Sequence, residues 1–572
     1  MPPEEFSREM EDLSKSQLIG LLYQKTVSNE ELNRTIQDLR QLVDTLNTTI
    51  ANLNETILEL RRKIYGSSSE KTKSGKPEEP ASGSEDIPDP GTIEVKGYTR
   101  DKKKKATRNE LYEKLPIQEE VFTLPEDQRN CPECGNLMTY MGKKFVREEL
   151  RITPAVVRRV HIYQEVYECR SDHADDKPVI IQTPVPMSLL PHSPASASMV
   201  SYTMTQKFAG MQPAYRQEQA FWQLGVPIPR ETLSNWMITC ALEYLLPVYD
   251  ALHRHLLERD VLHADEVPCQ VLREEGRAAT LKSYMWIYLT GNDGRPGIIL
   301  YDYQPGRSGD YARDFLTGFK GFLQCDGYSG YNKVPEVILV CCLAHARRKF
   351  YEAIPAERRK GIKLLDIHSE QQIPWSACPD EESKSRQLAS ETGFAYCSHL
   401  FYLERKLKDL SPEERKARRD AEHRPVWDAF WSWLGTVTPT GGSKLEKAVT
   451  YARNHQETLM NYLKDGRCEI SNNRAERRAK SYVQGRKNYL FHCSVDGAKA
   501  SAVILSLVET AKANDLNIFQ YLYTLLLFMP DYKNEPEGVE AMMPWSPFIQ
   551  RRCTGLIDVK NVTLKSRGEL PI

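Results

Sequence analysis

Two apolar runs in this 572-residue chain end on an aspartate, Val261-Leu-His-Ala-Asp265 and Gly321-Phe-Leu-Gln-Cys-Asp326. Short apolar runs of this kind read as buried strands, so each carboxylate is expected where a strand delivers it to a site. Two carboxylates held side by side repel one another unless a divalent cation lies between them. Hard oxygen donors suit Mg²⁺, and a pair of such ions stabilises both the attacking and the leaving oxygens of a phosphoryl transfer. A third carboxylate from a later helix would complete the two positions. It is sought in Asp465-Gly-Arg-Cys-Glu469-Ile-Ser471-Asn-Asn-Arg474-Ala-Glu476-Arg477-Arg478-Ala-Lys480. Ser471 or an adjacent Asn can cap a helix there. Glu476 stands on that helix among Arg474, Arg477, Arg478 and Lys480, and cations of this kind would hold a phosphate backbone. Glu469 precedes the cap and is the competing candidate, and the separation of Glu476 from Asp326 (476 − 326 = 150 residues) is long for one such domain. His263 could orient Asp265, touch nucleic acid or simply pack.

A second set of ligands has different chemistry. Cys131-Pro-Glu-Cys134-Gly is a tight knuckle suited to a tetrahedral metal, and Cys169-Arg-Ser-Asp-His173 supplies another close pair. Two pairs of soft or borderline ligands point to structural Zn²⁺ held by Cys131, Cys134, Cys169 and His173, with His161 in reserve. Between the pairs, residues 156–167 (VVRRVHIYQEVY) have the composition of a strand. A redox-active or incidental CxxC is the alternative.

The elements that must position the acids follow from the pattern of runs. After residues 261–265 come SYMWIYLT (283–290) and GIILYDY (297–303), a helical stretch at 308–319, the run ending on Asp326, a strand at 337–342, and a helix opening at Ala344. The order βββαβ, then βα, matches an RNase H-like α/β layer on a mixed sheet, in which the first and fourth strands are neighbours. That catalytic domain is expected over 257–529, with a helical insertion at 347–435. Its basic surface would include His345, Arg347, Arg348, Arg486 and Lys487.

Upstream, 186–256 reads as a helical bridge. Tyr215 to Gly225, the turn Val-Pro-Ile-Pro and Arg230-Glu-Thr-Leu-Ser-Asn-Trp236 resemble a helix-turn-helix, with Arg230, Thr232, Ser234 and Asn235 toward DNA and Leu233 and Trp236 inward. Two ordinary packed helices fit equally well. A zinc-binding β module is expected over 116–185, a flexible linker over 67–115, and a coiled coil over 13–66. The last rests on Leu32, Ile36, Leu39, Val43, Leu46, Ile50, Leu53, Ile57, Leu60 and Ile64, a heptad seam with Leu at d and β-branched residues at a, the choice that favours parallel dimers. The linker carries Lys102, Lys103, Lys104 and Lys105, ready phosphate contacts in a DNA-handling protein.

Bulk properties narrow the class. With 77 Lys+Arg against 78 Asp+Glu the net charge is −1, so any nucleic-acid contact must come from local basic clusters. The acidic MPPEEFSREM start has no apolar core, the longest apolar stretch (519–529) falls short of a membrane span, and thirteen scattered cysteines suit a reducing cytoplasm.

Taken together, CPECG at Cys131, YRQEQ at Tyr215, LHADE around Asp265, QCDGYSGYN around Asp326, LAHARRKF around His345 and DGRCEISNNRAERRAK through Glu476 to GRKNYLF form an ordered set. In that set the chain resembles the large subunit of the insertion-sequence-66 type of bacterial transposase. The resemblance implies a DDE triad at Asp265, Asp326 and Glu476. It also implies binding to terminal inverted repeats, cleavage and strand transfer dependent on Mg²⁺ (two ions per site, Mn²⁺ an alternative), and small accessory proteins from the same element. A cytoplasmic, nucleoid-associated bacterial protein is then expected. The chain departs from the family where Cys169-x₃-His173 stands in place of a second Cys-x-x-Cys. The segment 530–572 resembles the family's C-terminal tail and is assigned no chemistry. A structure-selective nuclease on the same fold, or an inactive DNA-binding regulator, are the rivals; the acidic triad argues against the second.

Overall fold

The computed structural model describes residues 14–16, 19–20, 23–38, 136, 157–169, 179–182, 188–359 and 388–555. The chain divides into two units, one of Met1–Ser67 with Val185–Ile572 and the other of Ser68–Pro184. In the smaller unit, β1 (Val166–Cys169) pairs antiparallel with β2 (Val179–Gln182), with Cys169 opposite Val179. This places Cys169 on the last residue of a hairpin strand. Cys131, Cys134, His173 and the lysines 102–105 lie outside the described residues. In the larger unit residues 23–38 are helical and expose Leu32 and Ile36; the seam from Leu39 to Ile64 also lies outside them.

The bridge is a run of helices packed on the layer that holds the five-stranded sheet. Here α1 (Ala197–Phe208) and α2 (Ala214–Gln223) precede α3 (Arg230–Cys240), and a five-residue π turn, Ala241–Leu245, joins α3 to α4 (Leu246–Leu257). The break in register sits against Pro247, whose ring cannot donate to the ladder. Gly225 closes α2 with φ of +77°, the left-handed region that a glycine enters freely. Leu233 and Trp236 are buried, while Arg230 and Asn235 are exposed, the facing that the sequence pattern suggests. Core residues of these helices run without interruption into those of the sheet, so the bridge shares its hydrophobic core.

The sheet has five strands in the order β6-β5-β3-β7-β8. An antiparallel meander is formed by β3 (Val261–Cys269), β5 (Ser283–Thr290) and β6 (Ile299–Gln304), while β7 (Gly321–Cys325) and β8 (Val337–Cys341) run parallel to β3. Near-continuous burial of β5 explains why its sequence is apolar throughout rather than alternating. Between β6 and β7 lies α5 (Gly309–Phe315), and α6 (Leu343–Ala353) follows β8. A small parallel pair, β4 (Val271–Arg273) with β9 (His492–Ser494), ties the strand region to the late helices.

Beyond α6 a helical unit builds its own core from α7 (Ala389–Lys406), α8 (Pro412–Thr436) and α9 (Lys444–Asn454), around Phe350, Tyr396, Trp427 and Phe430. Fully buried Arg419 is paired with Glu404 and also donates to the carbonyls of Tyr462 (3.0 Å), Asp465 (3.2 Å) and Cys468 (2.8 Å). One guanidinium therefore fixes the loop that leads back to the sheet. Then come α10 (Asn473–Tyr489), α11 (Val495–Ala513) and α12 (Ile518–Tyr532). Thr510 and Ser506 of α11 accept the backbone N–H groups of Ile299 and Tyr301 at 3.0 and 2.7 Å, which closes the exposed edge of β6. Two further helices, Pro536–Ala541 and Pro547–Cys553, flank or carry the buried Met542, Met543, Ile549 and Cys553. The core thus extends past residue 529, the end expected for it, to Cys553.

Candidate active site

Asp265 and Asp326 meet through strand register. On the parallel neighbours β3 and β7, Val261 stands beside Phe322 and His263 beside Gln324, an offset of 61 residues. Continued by two residues, the same offset brings Asp265 level with Asp326, since 265 + 61 = 326. Burial, reinforced by Glu266, Asp326 and Glu476, pushes the Asp265 carboxyl up to about 8. The adjacent Glu266 points to the opposite face, as strand alternation requires. There it accepts hydrogen bonds from Arg307 Nε at 2.7 Å and Tyr331 Oη at 2.6 Å. Asp326 is fixed by its turn: its Oδ1 accepts the Tyr328 N–H at 2.9 Å, and its carbonyl accepts from Tyr451 Oη at 2.8 Å. The next residue has to be Gly327, at φ +88°, where a Cβ would stand 2.8 Å from the Tyr451 hydroxyl and 2.9 Å from Cys341 Sγ.

Glu476 arrives in the first turn of α10, and a buried bracket holds that turn. Asn472, the N-cap residue, makes no side-chain cap. Instead its Nδ2 donates to the Ala264 carbonyl at 2.8 Å, its Oδ1 accepts from His263 Nδ1 at 3.0 Å, and its backbone N–H donates to Cys342 Sγ at 3.1 Å. His263 is fully buried, so it serves to lock α10 onto β3. The Asn side chain anchors the helix rather than capping it: its Oδ1, the atom that would accept a cap N–H, is engaged by His263.

The competing acid is otherwise engaged. Glu469 Oε1 accepts from Arg474 Nε at 2.9 Å, and its main chain exchanges two hydrogen bonds with the Gln324 amide at 2.6 and 2.8 Å. Glu476 Oε1 is buried and has no hydrogen-bond partner among the described residues; it stands 3.9 Å from His345 Nε2. Burial lowers the His345 imidazole from its usual range, against the opposing pull of Glu476 and Asp326. An unpaired carboxylate oxygen beside a carboxyl held up by burial and by acidic neighbours is an arrangement a divalent cation would stabilise, and hard oxygen donors suit one.

The basic residues divide into two groups. Arg348, Arg477 and Lys487 are exposed. Others are committed within the fold: Arg347 donates to Ser398 Oγ at 2.8 Å and lies over the Phe394 ring, Arg478 pairs with buried Glu509 at 2.7 Å, and Arg486 donates to the Pro268 carbonyl. Arg347 in particular turns into the helical unit, so the structure does not present it as the phosphate contact suggested by its neighbours in sequence. Tyr451 and Arg307 were not singled out from sequence, and Asn472 was read only as a possible helix cap, not as the anchor to β3.

Residues 192–500 match the family model described as Transposase IS66 family, more than half of the chain. The chain belongs to the IS66 transposase family. All three acids fall inside that match. Residues 128–171 match the zinc-finger binding domain of transposase IS66, which takes in Cys131, Cys134 and Cys169 but ends two residues short of His173. Residues 52–120 match a model described as Transposase C of IS166 homeodomain, spanning the end of the heptad seam and the lysine run. Among curated proteins the chain is similar to the uncharacterized protein y4jD of Sinorhizobium fredii, 26% identical over 89% of this chain and 97% of that one. It is also similar to y4qI of the same organism, 26% identical over 94% and 96% of the two chains. For an IS66 transposase, the family implies DNA as the partner and a divalent metal for its chemistry. No helix among the described residues is long and apolar enough to cross a membrane.

Proposed function

We propose that this IS66 family protein is a DDE transposase that binds the terminal inverted repeats of an insertion sequence and cuts and joins their strands. In this reading Asp265, Asp326 and Glu476 hold two divalent cations, Mg²⁺ or Mn²⁺. The observation that carries it is the convergence of three acids from distant parts of the chain, one with a buried, unpaired oxygen. The strand order, with a three-stranded antiparallel meander and two further strands parallel to its first, supports an RNase H-like layer.

When bound, the cations polarise the scissile phosphate and lower the cost of forming the attacking oxyanion. The chain's own residues do the rest. Gly327 and Tyr451 fix the Asp326 turn, and the His263–Asn472 bracket sets Glu476 against β3. Exposed Arg348, Arg477 and Lys487 neutralise backbone phosphates around the acids. Cys131, Cys134, Cys169 and His173 hold a structural Zn²⁺; the strand that ends on Cys169 and the zinc-finger match over 128–171 support this. The lysines 102–105 and the α2–α3 turn with Arg230 grip the element's ends. The heptad seam pairs two protomers, and small proteins of the same element join the assembly.

The test is cleavage of end-containing DNA in Mg²⁺ by Asp265→Ala, Asp326→Ala and Glu476→Ala. Each should abolish cutting and leave end binding intact. Full strand transfer by any of them removes the assignment.

A further inference from the structure

The three-acid site uses Cys342 only as an acceptor for the Asn472 N–H, yet this sulfur also lies close to Glu476. Cys342 is the N-cap residue of α6, and its Cys-x-x-His spacing sets His345 in the same first turn. Glu476 approaches from the first turn of α10, and one ligand atom from each of Cys342, His345 and Glu476 lies within 4.8 Å of the other two. The gap from His345 Nε2 to Glu476 Oε1 is 3.9 Å, too long for a hydrogen bond, and His345 Nδ1 and Glu476 Oε1 have no hydrogen-bond partner among the described residues. Two ligands sharing a tetrahedral zinc at bonds of about 2.1 Å stand roughly 3.4 Å apart. Small side-chain rotations therefore close the set.

The donor chemistry separates this cluster from the triad. Thiolate and imidazole select Zn²⁺ and similar cations, whereas Mg²⁺ takes oxygen donors. Burial pushes the free Cys342 thiol up to about 12, so the sulfur ionises only as a cation binds it. We propose that Cys342, His345 and Glu476 form a thiophilic-cation site that takes Zn²⁺ and, in doing so, withdraws Glu476 from the Mg²⁺-holding triad. On binding, the Cys342 thiol gives its proton to solvent and the sulfur donates a lone pair to the metal, with no change of oxidation state. The fourth position is left for water or a phosphate oxygen. Zinc in excess is then an inhibitor competing with Mg²⁺ through a shared ligand. The inhibitory half rests on the proposed function; the binding half does not.

The test uses the full chain with its zinc finger loaded, titrated with Co²⁺ in Mg²⁺-free buffer while the thiolate-to-cobalt charge-transfer band is followed. The unaltered protein should bind one equivalent more than Cys342→Ser, which keeps an acceptor for the Asn472 N–H; Cys342→Ala is the second variant, and thermal melting checks that both fold. In a cleavage assay with Mg²⁺, with each protein referred to its own zinc-free rate, Cys342→Ser should need at least tenfold more Zn²⁺ for half-inhibition. Equal cobalt stoichiometry in the folded variants overturns the site, and equal zinc sensitivity overturns the inhibitory role. A cobalt difference in a protein that cuts no DNA would leave the site standing and sink the proposed function.

Discussion

At the scale of single residues, the account turns on which side chains are spent inside the fold and which are left over. The Glu469 carboxylate is spent on Arg474, whereas Glu476 keeps a buried oxygen with no hydrogen-bond partner among the described residues. Charge-removing substitutions at Asp265 or Asp326 should lower single-turnover cleavage by roughly a thousandfold or more, the scale on which loss of one preorganised charge-stabilising group is felt. His263 makes a different prediction because it touches α10 and not the phosphate. His263→Ala leaves the Asn472 Oδ1 without its donor, and a buried unsatisfied acceptor costs about 1–3 kcal/mol. Chemical denaturation should show that loss, together with slower cleavage at unchanged end binding. The two aspartates were legible in the sequence because apolar runs deliver them to neighbouring strands. The third acid was not, since its helix lies 150 residues further on (476 − 326) and only the likeness to a family chose it over Glu469.

At the scale of elements, the helical unit between α6 and α10 decides whether Glu476 comes home to the sheet. Arg419 holds the returning loop through three carbonyls and Glu404. Removing one partner of a buried, hydrogen-bonded pair costs about 3–5 kcal/mol, so Arg419→Met should lower the unfolding midpoint in denaturant markedly. Acid should weaken this unit at His423 and the β4–β9 pair at His492. Burial pushes His423 and His492 down to about 3, so both are neutral in the fold and bind a proton near pH 6.5 when unfolded. Stability is therefore full above about pH 6.5 and falls as pH drops toward 3, by at most about 1.4 kcal/mol per pH unit for each imidazole. A His423→Gln variant should flatten that dependence in denaturant titrations run from pH 7 to 4. The strands of the sheet were readable because their burial leaves continuous apolar runs, and 283–290 appears with the bounds its sequence suggests. The π turn at Ala241–Leu245, the β4–β9 pair and the helices past 532 were not, because each depends on contacts between distant segments and carries no local period.

At the scale of the whole molecule, the proposed function calls for Zn²⁺ in the smaller unit and divalent cations at the acids of the larger one. Pairing through the heptad seam predicts that Leu46→Asp together with Leu53→Asp converts a dimer to a monomer in sedimentation, because charge at d positions cannot be buried in the interface. The central claim, that Glu476 and not Glu469 completes the catalytic acids, is tested most directly on the intact protein with pre-cut and uncut element ends in Mg²⁺. The account predicts that Glu476→Gln binds the ends but neither cuts nor joins them, while Glu469→Gln does both within about tenfold of the unaltered chain. Strand transfer by Glu476→Gln, or its loss in Glu469→Gln alone, would contradict it.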